Sequence, residues 1–351
     1  MQMEQIIKEI KPLDESAMQA ARLRQDTLTK PRGSLGRLEE LSIQLAGITA
    51  KPFPSMERKA VIVMAADHGV TLEGVSAYPA EVTPQMVLNF LRGGAAINVL
   101  ARQAGARVIV VDMGVAAHIT DLSGTLVRRK IGFGTANLAN GPAMTPEQAR
   151  ESIRSGIEIA EAEIARGVDL LATGDMGIGN TTASAAIACA LMNEIPEVIA
   201  GRGTGVDDDG LKRKVDVIAR ALHVNQPNSN DALDVLAKLA GFEIGGLVGM
   251  ILASAAHRKP VVIDGFISTA AAMLAVSLAP AAREYMIAAH VSQERGHKRM
   301  LEWLRMNPLL DLNLRLGEGS GAVLAFPLID ASARILCEMA TFGEAGVSDK
   351  E

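Results

Sequence analysis

Residues 60–67 have the sequence AVIVMAAD, a short and uninterrupted apolar run that ends in an acid. Four later stretches repeat this form, the last of them more weakly: VIVVDMG at 108–114, LLATGDMG at 170–177, PVVIDG at 260–265 and EYMIAAH at 284–290. Continuous runs rich in β-branched residues suit strands that are buried on both faces, as in parallel sheets. Each stretch is therefore predicted to form a strand of one mainly parallel sheet.

Stretches in which apolar residues recur at helical spacing separate these strands. They lie at about 83–104, 146–166, 180–193, 209–222, 231–257, 266–279 and 294–305. Alternating strands and helices are typical of an open α/β sheet. The pattern leaves open whether 83–104 forms one helix or two.

Both ends of the chain are also predicted to be helical. Helical spacing is present between residues 3 and 48 and again over 321–343, and the proline-containing segment KPFPSMER at 51–58 is typical of a linker. The two ends could therefore pack together as a small helical domain of residues 1–55 and 321–351. Residues 56–320 would form a large α/β domain.

Composition limits the class of protein. A chain of 351 residues, 48% of them hydrophobic, can bury a sizeable core, and its net charge of −5 gives no reason to expect nucleic acid as a partner. Cys189 and Cys337 belong to no metal-binding motif and are expected to be reduced thiols. The N-terminus lacks the pattern of a secretory signal, and the longest apolar stretch ends at Pro280, too short to span a membrane. A soluble cytoplasmic protein without membrane insertion is expected.

Acids, histidines and glycines gather where the predicted strands end. The groups at these positions are Asp67-His68-Gly69, Asp112-Met113-Gly114, Gly174-Asp175-Met176-Gly177, Asp264-Gly265 and His290. Ligands of open parallel sheets bind beyond the carboxyl ends of the strands. The functional site is therefore expected at this edge of the sheet.

The stretch GDMGIGNTT, residues 174–182, follows a predicted strand and opens a predicted helix. Glycines free the backbone there, and Asn180, Thr181 or Thr182 could cap the helix, whose N-terminus favours a phosphate. The alternative is a glycine-rich turn with an ordinary cap. The stretch is not the G-x-G-x-x-G fingerprint of dinucleotide-binding proteins, and the sequence contains no Walker motif.

Two further turns are candidate anion sites. In GRGTGVDDDGLKRK, residues 201–214, Arg202 and Lys214 could meet an anion, although a flexible loop before a well-charged helix start explains the pattern equally well. A magnesium site at the three aspartates is a weaker interpretation than helix capping. In HVSQERGH, residues 290–297, Ser292 could cap the next helix with Glu294 in its first turn, and the histidine spacing is poor for a metal.

The stretch LGEGSGA, residues 316–322, sets Glu318 between glycines. The glycines leave room for a flat ligand. In a partly apolar site the pKa of this carboxyl would rise, and it could act as a base near neutral pH. A carboxylate at the start of the following helix is an equally good interpretation of the composition.

Taken together, seven stretches resemble the nicotinate-nucleotide–dimethylbenzimidazole phosphoribosyltransferase family of cobalamin biosynthesis. They are KPRGSLGRLEELSIQLA (30–46), ADHGV (66–70), SAYPAEVT (76–83), GDMGIGNTT, GRGTGVDD, SQERGH and LGEGSGA. The resemblance runs from about residue 30 to about residue 340 with the motifs in the same order. It implies a doubly wound, mainly parallel sheet of Rossmann-like topology, with a small helical domain formed by both termini.

The resemblance also implies a reaction. Ribose 5-phosphate passes from nicotinate mononucleotide to 5,6-dimethylbenzimidazole, giving α-ribazole 5′-phosphate and nicotinate, with no metal or organic cofactor. The family's general base corresponds to Glu318, which would remove the ring N–H proton as positive charge develops on the attacking base. A homodimer with sites near the subunit interface is expected.

The resemblance assigns further roles residue by residue. Asp175 is expected near the ribose or the reacting centre, where other members of the family can carry the longer glutamate. Gly177, Lys214 and Ser292 correspond to phosphate contacts, and Gln85 and Met86 lie in the segment that touches the benzimidazole ring. Seven further residues of the same motifs are also expected to bind substrate. They are Gly179, Asn180, Thr181, Arg202, Gly203, Gly317 and Gly319.

Three alternatives stay open. A related phosphoribosyltransferase would share the ribose phosphate motifs and use another aromatic base. A binding protein would hold the nucleotide without turnover, although binding alone gives no reason to keep Glu318. A hydrolase would release nicotinate with water and without a base.

Overall fold

The computed structural model describes residues 3–121 and 124–348, and a sheet of six strands forms its centre. Its strands are β1 (Lys59–Ala66), β2 (Ala106–Gly114), β3 (Val127–Arg128), β4 (Leu170–Met176), β5 (Val261–Ile263) and β6 (Met286–Ala288). A smaller parallel sheet consists of β7 (His290–Ser292) and β8 (Leu310–Leu314). The predicted α/β fold with a mainly parallel sheet is confirmed.

The order of the strands identifies the edge at which a ligand can bind. The order is β3-β2-β1-β4-β5-β6, and every neighbouring pair is parallel. The chain therefore adds strands in one direction from β1 and in the other direction from β4, as in the Rossmann-like doubly wound order. Strands β1 and β4 pair directly, from Lys59 beside Leu170 to Ala65 beside Met176. The crevice beyond their carboxyl ends is the switch point of the sheet.

Helices follow or precede each strand. They are α1 (Met3–Glu9), α2 (Glu15–Thr27), α3 (Arg37–Thr49), α4 (Val82–Leu91), α5 (Ala96–Ala104), α6 (Pro146–Ala165), α7 (Asn180–Met192), α8 (Pro196–Ile199), α9 (Asp208–Asn225), α10 (Ala232–Leu239), α11 (Phe242–Ala256), α12 (Phe266–Leu278), α13 (His297–Leu304), α14 (Ser320–Glu338) and α15 (Phe342–Ala345). Two 3₁₀ helices span Gly69–Glu73 and Pro280–Tyr285.

Both faces of the sheet are buried, because alternate residues of β1 enter two different cores. Ile62 and Met64 pack in the cluster that contains residues of α6, α11 and α12. Val61 and Val63 pack in the cluster that contains residues of α3, α5 and α14. Successive side chains of a strand point to opposite faces, so an uninterrupted apolar run is needed when helices cover both.

Small residues let α11 lie very close to α6. A Cβ on Gly156 would overlap the backbone carbonyl oxygen of Gly246, and a Cβ on Gly249 would overlap that of Ile153. Every residue from Phe242 to Ala255 is buried. The core therefore depends on close approach of the helix backbones, which leaves little space for aromatic side chains. The aromatic content of 3% agrees with this packing.

Segment 83–104, for which the sequence left one helix or two open, forms two helices, interrupted at Gly93 with φ +77°. Elsewhere the structure differs from the predicted elements. Segment 231–257 forms two helices, because the backbone at Ala240 is extended. The predicted strand at 284–290 divides at Ala289 into β6 and β7, which belong to different sheets. Strands β3 and β8 were not predicted, since β3 has two residues and β8 is largely exposed without a continuous apolar run.

The two ends of the chain meet. Helices α3 and α14 pack together, Leu28 pairs with Thr341 in an antiparallel bridge, and Ala17, Ala21, Ala46 and Leu336 form a small cluster. Helix α14 also packs against α5 and β4. The division into two domains stays a prediction, and its residues 1–2 and 349–351 lie outside the described residues.

Helix α14 is the one helix in the described part of the chain that is long and apolar enough to cross a membrane. Core helices of soluble proteins meet the same two criteria, and more than half of this helix is buried inside the protein. It contacts both α3 and the central sheet, as described above. Its apolar character is therefore explained by packing.

Candidate active site

A cavity of about 390 Å³ lies at the carboxyl edge of the sheet, where β4 and β7 end. Its lining residues come from six segments of the chain, within 78–86, 175–181, 203–204, 265–267, 290–294 and 315–318. Carboxyl groups, a histidine and an arginine share this lining with several apolar side chains. The cavity thus has the position that the strand order indicates, with an apolar part and a polar part.

Glu318 lines this cavity on a turn that three left-handed residues form. Gly317, Glu318 and Gly319 have φ of +83°, +64° and +87°, a conformation that costs glutamate more than glycine. Helix α5 holds the side chain from behind, because the backbone N–H of Ile97 donates to Glu318 Oε2 at 3.2 Å. The residue is only 5% exposed.

Packing explains the glycine that follows Glu318. A Cβ on Gly319 would lie 2.6 Å from Val61 Cγ2 and 3.0 Å from the carbonyl oxygen of Thr173. Gly319 therefore faces β1 and β4 and is not among the cavity-lining residues, whereas Gly317 is. The turn can press against the sheet only because this position carries no side chain.

Burial is the largest cause of a raised pKa at Glu318. The charge of Asp264 raises the pKa further, and the hydrogen bond from Ile97 lowers it in part. The carboxyl group is therefore a stronger base than an ordinary surface glutamate. The expectation that a partly apolar site raises the pKa of Glu318 agrees with this arrangement.

Asp175, the last residue but one of β4, lines the same cavity. Its Oδ2 accepts a hydrogen bond from Asn180 Nδ2 at 3.0 Å, while its buried Oδ1 has no hydrogen-bond partner within residues 3–121 and 124–348. A Cβ on Gly317 would lie 3.3 Å from Asp175 Oδ2, so the two acidic segments touch. Burial, then Asp264 and Glu243, raise the pKa of Asp175 well above its ordinary value, and Glu318 adds to the effect.

A buried acid and a histidine stand beside the Glu318 turn. Asp264 accepts the N–H groups of Gly319 at 3.2 Å and Ala322 at 2.9 Å, at the start of α14. His290 lines the cavity, with its Nε2 3.8 Å from Asp264 Oδ1. Burial raises the pKa of Asp264, and His290 and these N–H groups partly lower it.

Lys214 lies behind the wall of the cavity. Its side chain is buried, with the residue 1% exposed, and Nζ donates to Thr181 Oγ1 at 2.8 Å. Burial lowers the pKa of Lys214 to about 8, an effect that the charge of Glu294 opposes. A Cβ on Gly203 would lie 3.1 Å from this Nζ. Thr181 and Gly203 line the cavity, so a buried cation stands directly behind them.

Two capping expectations are wrong. Helix α7 begins after Gly179, whose φ is +96°, and the Asn180 side chain contacts Asp175. Helix α13 begins at His297 after Gly296, so Ser292 is not its cap and Glu294 is not in its first turn. Glu294 Oε1 accepts the N–H of Gly203 at 2.9 Å, and Ser292 donates its own N–H to His297 Nδ1 at 2.7 Å. At α9, capping is confirmed, because Asp207 accepts the N–H of Gly210.

The expected site residues divide into two groups. Those that line the cavity are Met86, Asp175, Gly177, Asn180, Thr181, Gly203, Ser292, Gly317 and Glu318. The lining does not include Gln85, Gly179, Arg202, Lys214 and Gly319. Gln85 is exposed on α4, and Arg202 pairs with Asp208 and donates to the carbonyl oxygen of Val206.

Sequence analysis missed several lining residues. They are Tyr78, Val82, Ile178, Thr204, Phe266, Ile267, Arg315 and Leu316. Arg315 had a sequence signal, because a cation directly precedes the LGEGSGA stretch. The apolar residues had none beyond their position in or beside a recognised motif. Within the described residues, no group of three or more His, Cys, Asp and Glu side chains could hold a metal ion.

The doubly wound sheet, with buried carboxyl groups and a glycine turn at its switch point, defines an α/β enzyme with a small-molecule site. A family model described as phosphoribosyltransferase matches residues 10–347, and the chain belongs to this family. The predicted family is thereby confirmed.

Curated relatives and solved structures agree with this membership. The chain is 62% identical over 344 residues to the nicotinate-nucleotide–dimethylbenzimidazole phosphoribosyltransferase of Chloroflexus aurantiacus, with 98% of each chain covered. It is 58% identical to the protein of that name from Desulforudis audaxviator, with 97% of each covered. The crystal structure of CobT from Thermus thermophilus has a TM-score of 0.92 at 52% identity, covering 95% of this chain and 100% of that one.

Proposed function

We propose that this chain transfers ribose 5-phosphate from nicotinate mononucleotide to 5,6-dimethylbenzimidazole, as the names of its relatives indicate. The products are α-ribazole 5′-phosphate and nicotinate. The bond between the anomeric carbon and the nicotinate nitrogen breaks, and its electron pair stays on nicotinate. A benzimidazole nitrogen forms the new bond, and the other ring nitrogen loses its proton.

The observation that carries the proposal is the buried carboxyl group of Glu318 on the cavity wall. Positive charge develops on the benzimidazole ring as it attacks, and a carboxylate with a raised pKa can take the N–H proton and stabilise the cation. The bond from Ile97 fixes Oε2, which reduces the freedom that the base would lose in the transition state. The leaving nicotinate needs little assistance, because it departs from a pyridinium.

Asp175 is proposed to meet the ribose beside the reacting carbon. Its unpaired buried Oδ1 can accept a hydrogen bond from a hydroxyl group, and burial without such a partner is unfavourable. The ionised form of Asp175 would also favour an anomeric carbon that becomes positive. The contact between its segment and that of Glu318 brings the two acids to one end of the cavity.

The phosphate is proposed to bind around Gly177, Gly203 and Ser292. Lys214 acts there through Thr181, to which its Nζ donates, and contributes positive charge from behind the wall. Arg315 lines the same cavity and is a second cation for this end. Gly179, Arg202 and Gly319 then serve by shaping the turns, since none of them lies on the cavity wall. Asn180 does lie on the wall, where it donates to Asp175.

The acceptor ring is proposed to bind against Tyr78, Val82 and Met86. Apolar and aromatic side chains suit a flat methylated base. Gln85, one position before Met86, is exposed on α4 and is not among the lining residues, so its role is the weaker of the two carried over from the family.

A homodimer in the cytoplasm is proposed as the working form. The homodimer is carried over from the family that the chain resembles, and large apolar side chains exposed on the described surface, among them Leu72, Val99 and Tyr78, are available for such an interface. Cys189 and Cys337 are free thiols, in keeping with a reducing compartment. Light scattering of the purified chain would give the oligomeric state.

Incubation of the purified chain with nicotinate mononucleotide, with and without 5,6-dimethylbenzimidazole, tests the reaction. We expect nicotinate and ribazole phosphate to form together and only when the base is present. Nicotinate release without base would indicate a hydrolase, and nucleotide binding without products would indicate a binding protein. Replacing the base by benzimidazole, adenine or a phenol would separate this enzyme from a relative with another acceptor.

A further inference from the structure

Two parts of the cavity lining have different proposed roles. The turns that carry Gly177, Gly203 and Ser292 form the end proposed for the nucleotide phosphate, and segment 76–86 forms the wall proposed for the acceptor ring. These parts meet at Thr204, itself a lining residue, which lies in the glycine-rich loop 201–205. The contact at Thr204 therefore joins the two halves of the site.

The contact consists of three hydrogen bonds around two hydroxyl groups. Thr204 Oγ1 accepts the backbone N–H of Ala77 at 3.0 Å and lies 3.0 Å from Ser76 Oγ. Ser76 Oγ in turn accepts the N–H of Tyr78 at 3.2 Å. The backbone of the acceptor wall is thus held by the side chain of a loop that comes 127 residues later in the sequence.

The residue before Thr204 contacts the proposed phosphate end. Gly203 donates its N–H to Glu294 at 2.9 Å and accepts from Arg315 Nη1 at 3.5 Å. A Cβ on Gly203 would lie 2.7 Å from Thr181 Oγ1 and 3.1 Å from Lys214 Nζ. A phosphate that orders these groups would order Gly203, and Thr204 is joined to it by one peptide bond.

Stability does not explain the Thr204 contact. Thr204, Ala77 and Tyr78 are all exposed, and an exposed hydrogen bond contributes little to folding because water competes for both partners. Gly203 and Glu294, by contrast, are buried. The loop is therefore held firmly at Gly203 and exposed at Thr204. Thr204 can form or break its contacts without unfolding of the protein.

We propose that Thr204 is a positioning residue that couples the two substrates. It seats Ser76, Ala77 and Tyr78 when the nucleotide has ordered loop 201–205, so the acceptor binds more tightly to the enzyme that already holds nucleotide. Because binding free energies are reciprocal, the acceptor must favour the nucleotide by the same factor. The identity of the two substrates rests on the function proposed above.

Thr204→Val and Thr204→Ser test the coupling. Valine keeps the shape of threonine and removes the accepting hydroxyl, whereas serine keeps the hydroxyl. We expect Thr204→Val to raise the KM for 5,6-dimethylbenzimidazole about 5- to 20-fold, because the bound acceptor would cover these hydrogen bonds and reduce the competition from water that weakens them in the free enzyme. The Kd of nucleotide alone should change less than about twofold. Thr204→Ser should restore most of the acceptor KM. Thr27→Val, at an exposed threonine on α2, serves as the control.

The variant Ser76→Ala provides a second arm. If Thr204 and Ser76 act through one contact, the double variant should be no worse than the more impaired single variant. The proposal would be overturned if the acceptor KM and the nucleotide Kd were the same in Thr204→Val and the unaltered chain. An effect on the nucleotide Kd alone would also overturn it. A failure of the proposed function would be distinct, because the unaltered chain itself would then form no base-dependent product.

Discussion

Asp264 accepts the backbone N–H of Gly319 at 3.2 Å, so a buried acid holds the residue that directly follows Glu318. The same carboxyl group caps the start of α14 through Ala322, and its charge contributes to the raised pKa of Glu318. One side chain thus fixes the turn that presents the proposed base and strengthens that base.

Turnover should decrease at low pH, on the acid limb of the pH profile, because Glu318 becomes protonated there. Because burial and Asp264 raise the pKa of Glu318, this fall should occur at a higher pH than the ordinary 4.5 of glutamate. In Asp264→Asn the negative charge is gone, the pKa of Glu318 drops, and the acid limb should move to lower pH. The pH profile of kcat/KM measures this shift. Asp311→Asn, at an exposed position on β8, is the control, and a limb that stays in place in Asp264→Asn would contradict the assignment.

Glu318→Gln should retain nucleotide binding and lose about 10²- to 10⁴-fold in kcat, the range in which a general base contributes. Glutamine keeps the size of the side chain and can still accept the N–H of Ile97. The measurement is kcat together with the Kd for nicotinate mononucleotide. Glu302→Gln, exposed on α13, should behave as the unaltered chain. Unchanged turnover in Glu318→Gln would mean that another group removes the proton.

Lys214→Ala should mainly weaken nucleotide affinity, by about 10- to 100-fold, because it removes a cation behind the phosphate end. Since burial lowers the pKa of Lys214 to about 8, the affinity of the unaltered chain should decline as the pH rises through that value. Titration of nucleotide at several pH values tests both points. Lys212→Ala, two positions earlier on α9 with an exposed side chain, is a matched control. A loss of kcat with unchanged nucleotide affinity would refute this role.

Asp175→Asn should make the protein more stable at neutral pH. The pKa of Asp175 is raised well above 3.8 in the folded state, so the folded protein holds this proton more tightly than the unfolded chain. The stability from this group is present below pH 3.8 and is lost as the pH rises through the folded value. Thermal midpoints should differ by about 1–2 °C for each kcal/mol at neutral pH, given the entropy of unfolding of a chain of this length, and converge in acid. If the higher thermal midpoint of Asp175→Asn persists at low pH, or appears also in Asp311→Asn, the raised pKa of Asp175 is not its cause.

Gly156→Ala should destabilise the protein strongly, because the new methyl group would overlap the carbonyl oxygen of Gly246 and force α6 away from α11. Overpacking in a close-packed core costs about 1–3 kcal/mol or more, and backbone cannot yield as a side chain can. Gly141→Ala is the control, since a Cβ there meets nothing within 4 Å. Equal thermal midpoints for the two variants would show that α6 and α11 can move apart at little cost in the free energy of unfolding.

The sheet could be predicted because the apolar residues that a buried strand requires are consecutive in the sequence. Val61 to Val63 must be apolar on both faces, and that requirement appears directly as an uninterrupted run. Asp175 was placed by its motif at the edge where parallel strands end, and it lines the cavity there. Glu318 was assigned from the resemblance to the family, and it lines the same cavity.

Other features depend on partners that are distant in sequence. Lys214 has the appearance of an ordinary helix lysine, and only the fold buries it against Thr181. Glu294 was expected at a helix start, yet it accepts the N–H of Gly203, 91 positions earlier in the chain. Strand β8 has no apolar run, because its sheet has two strands and its side chains are largely exposed. Such contacts leave no periodic signal in the chain.

The hydrogen bond between Ile97 and Glu318 joins residues 221 positions apart, and it has a consequence for biosynthesis. A ribosome completes β1 to β4 and most of the surrounding helices long before the segment that carries Glu318 is made. Until then the surface of β1 and β4 that Gly319 covers is exposed to solvent and to other chains. A nascent or truncated chain that stops before this turn would lack its proposed base and display an uncovered sheet. Activity and protection from aggregation should therefore be acquired together, at the last stage of synthesis.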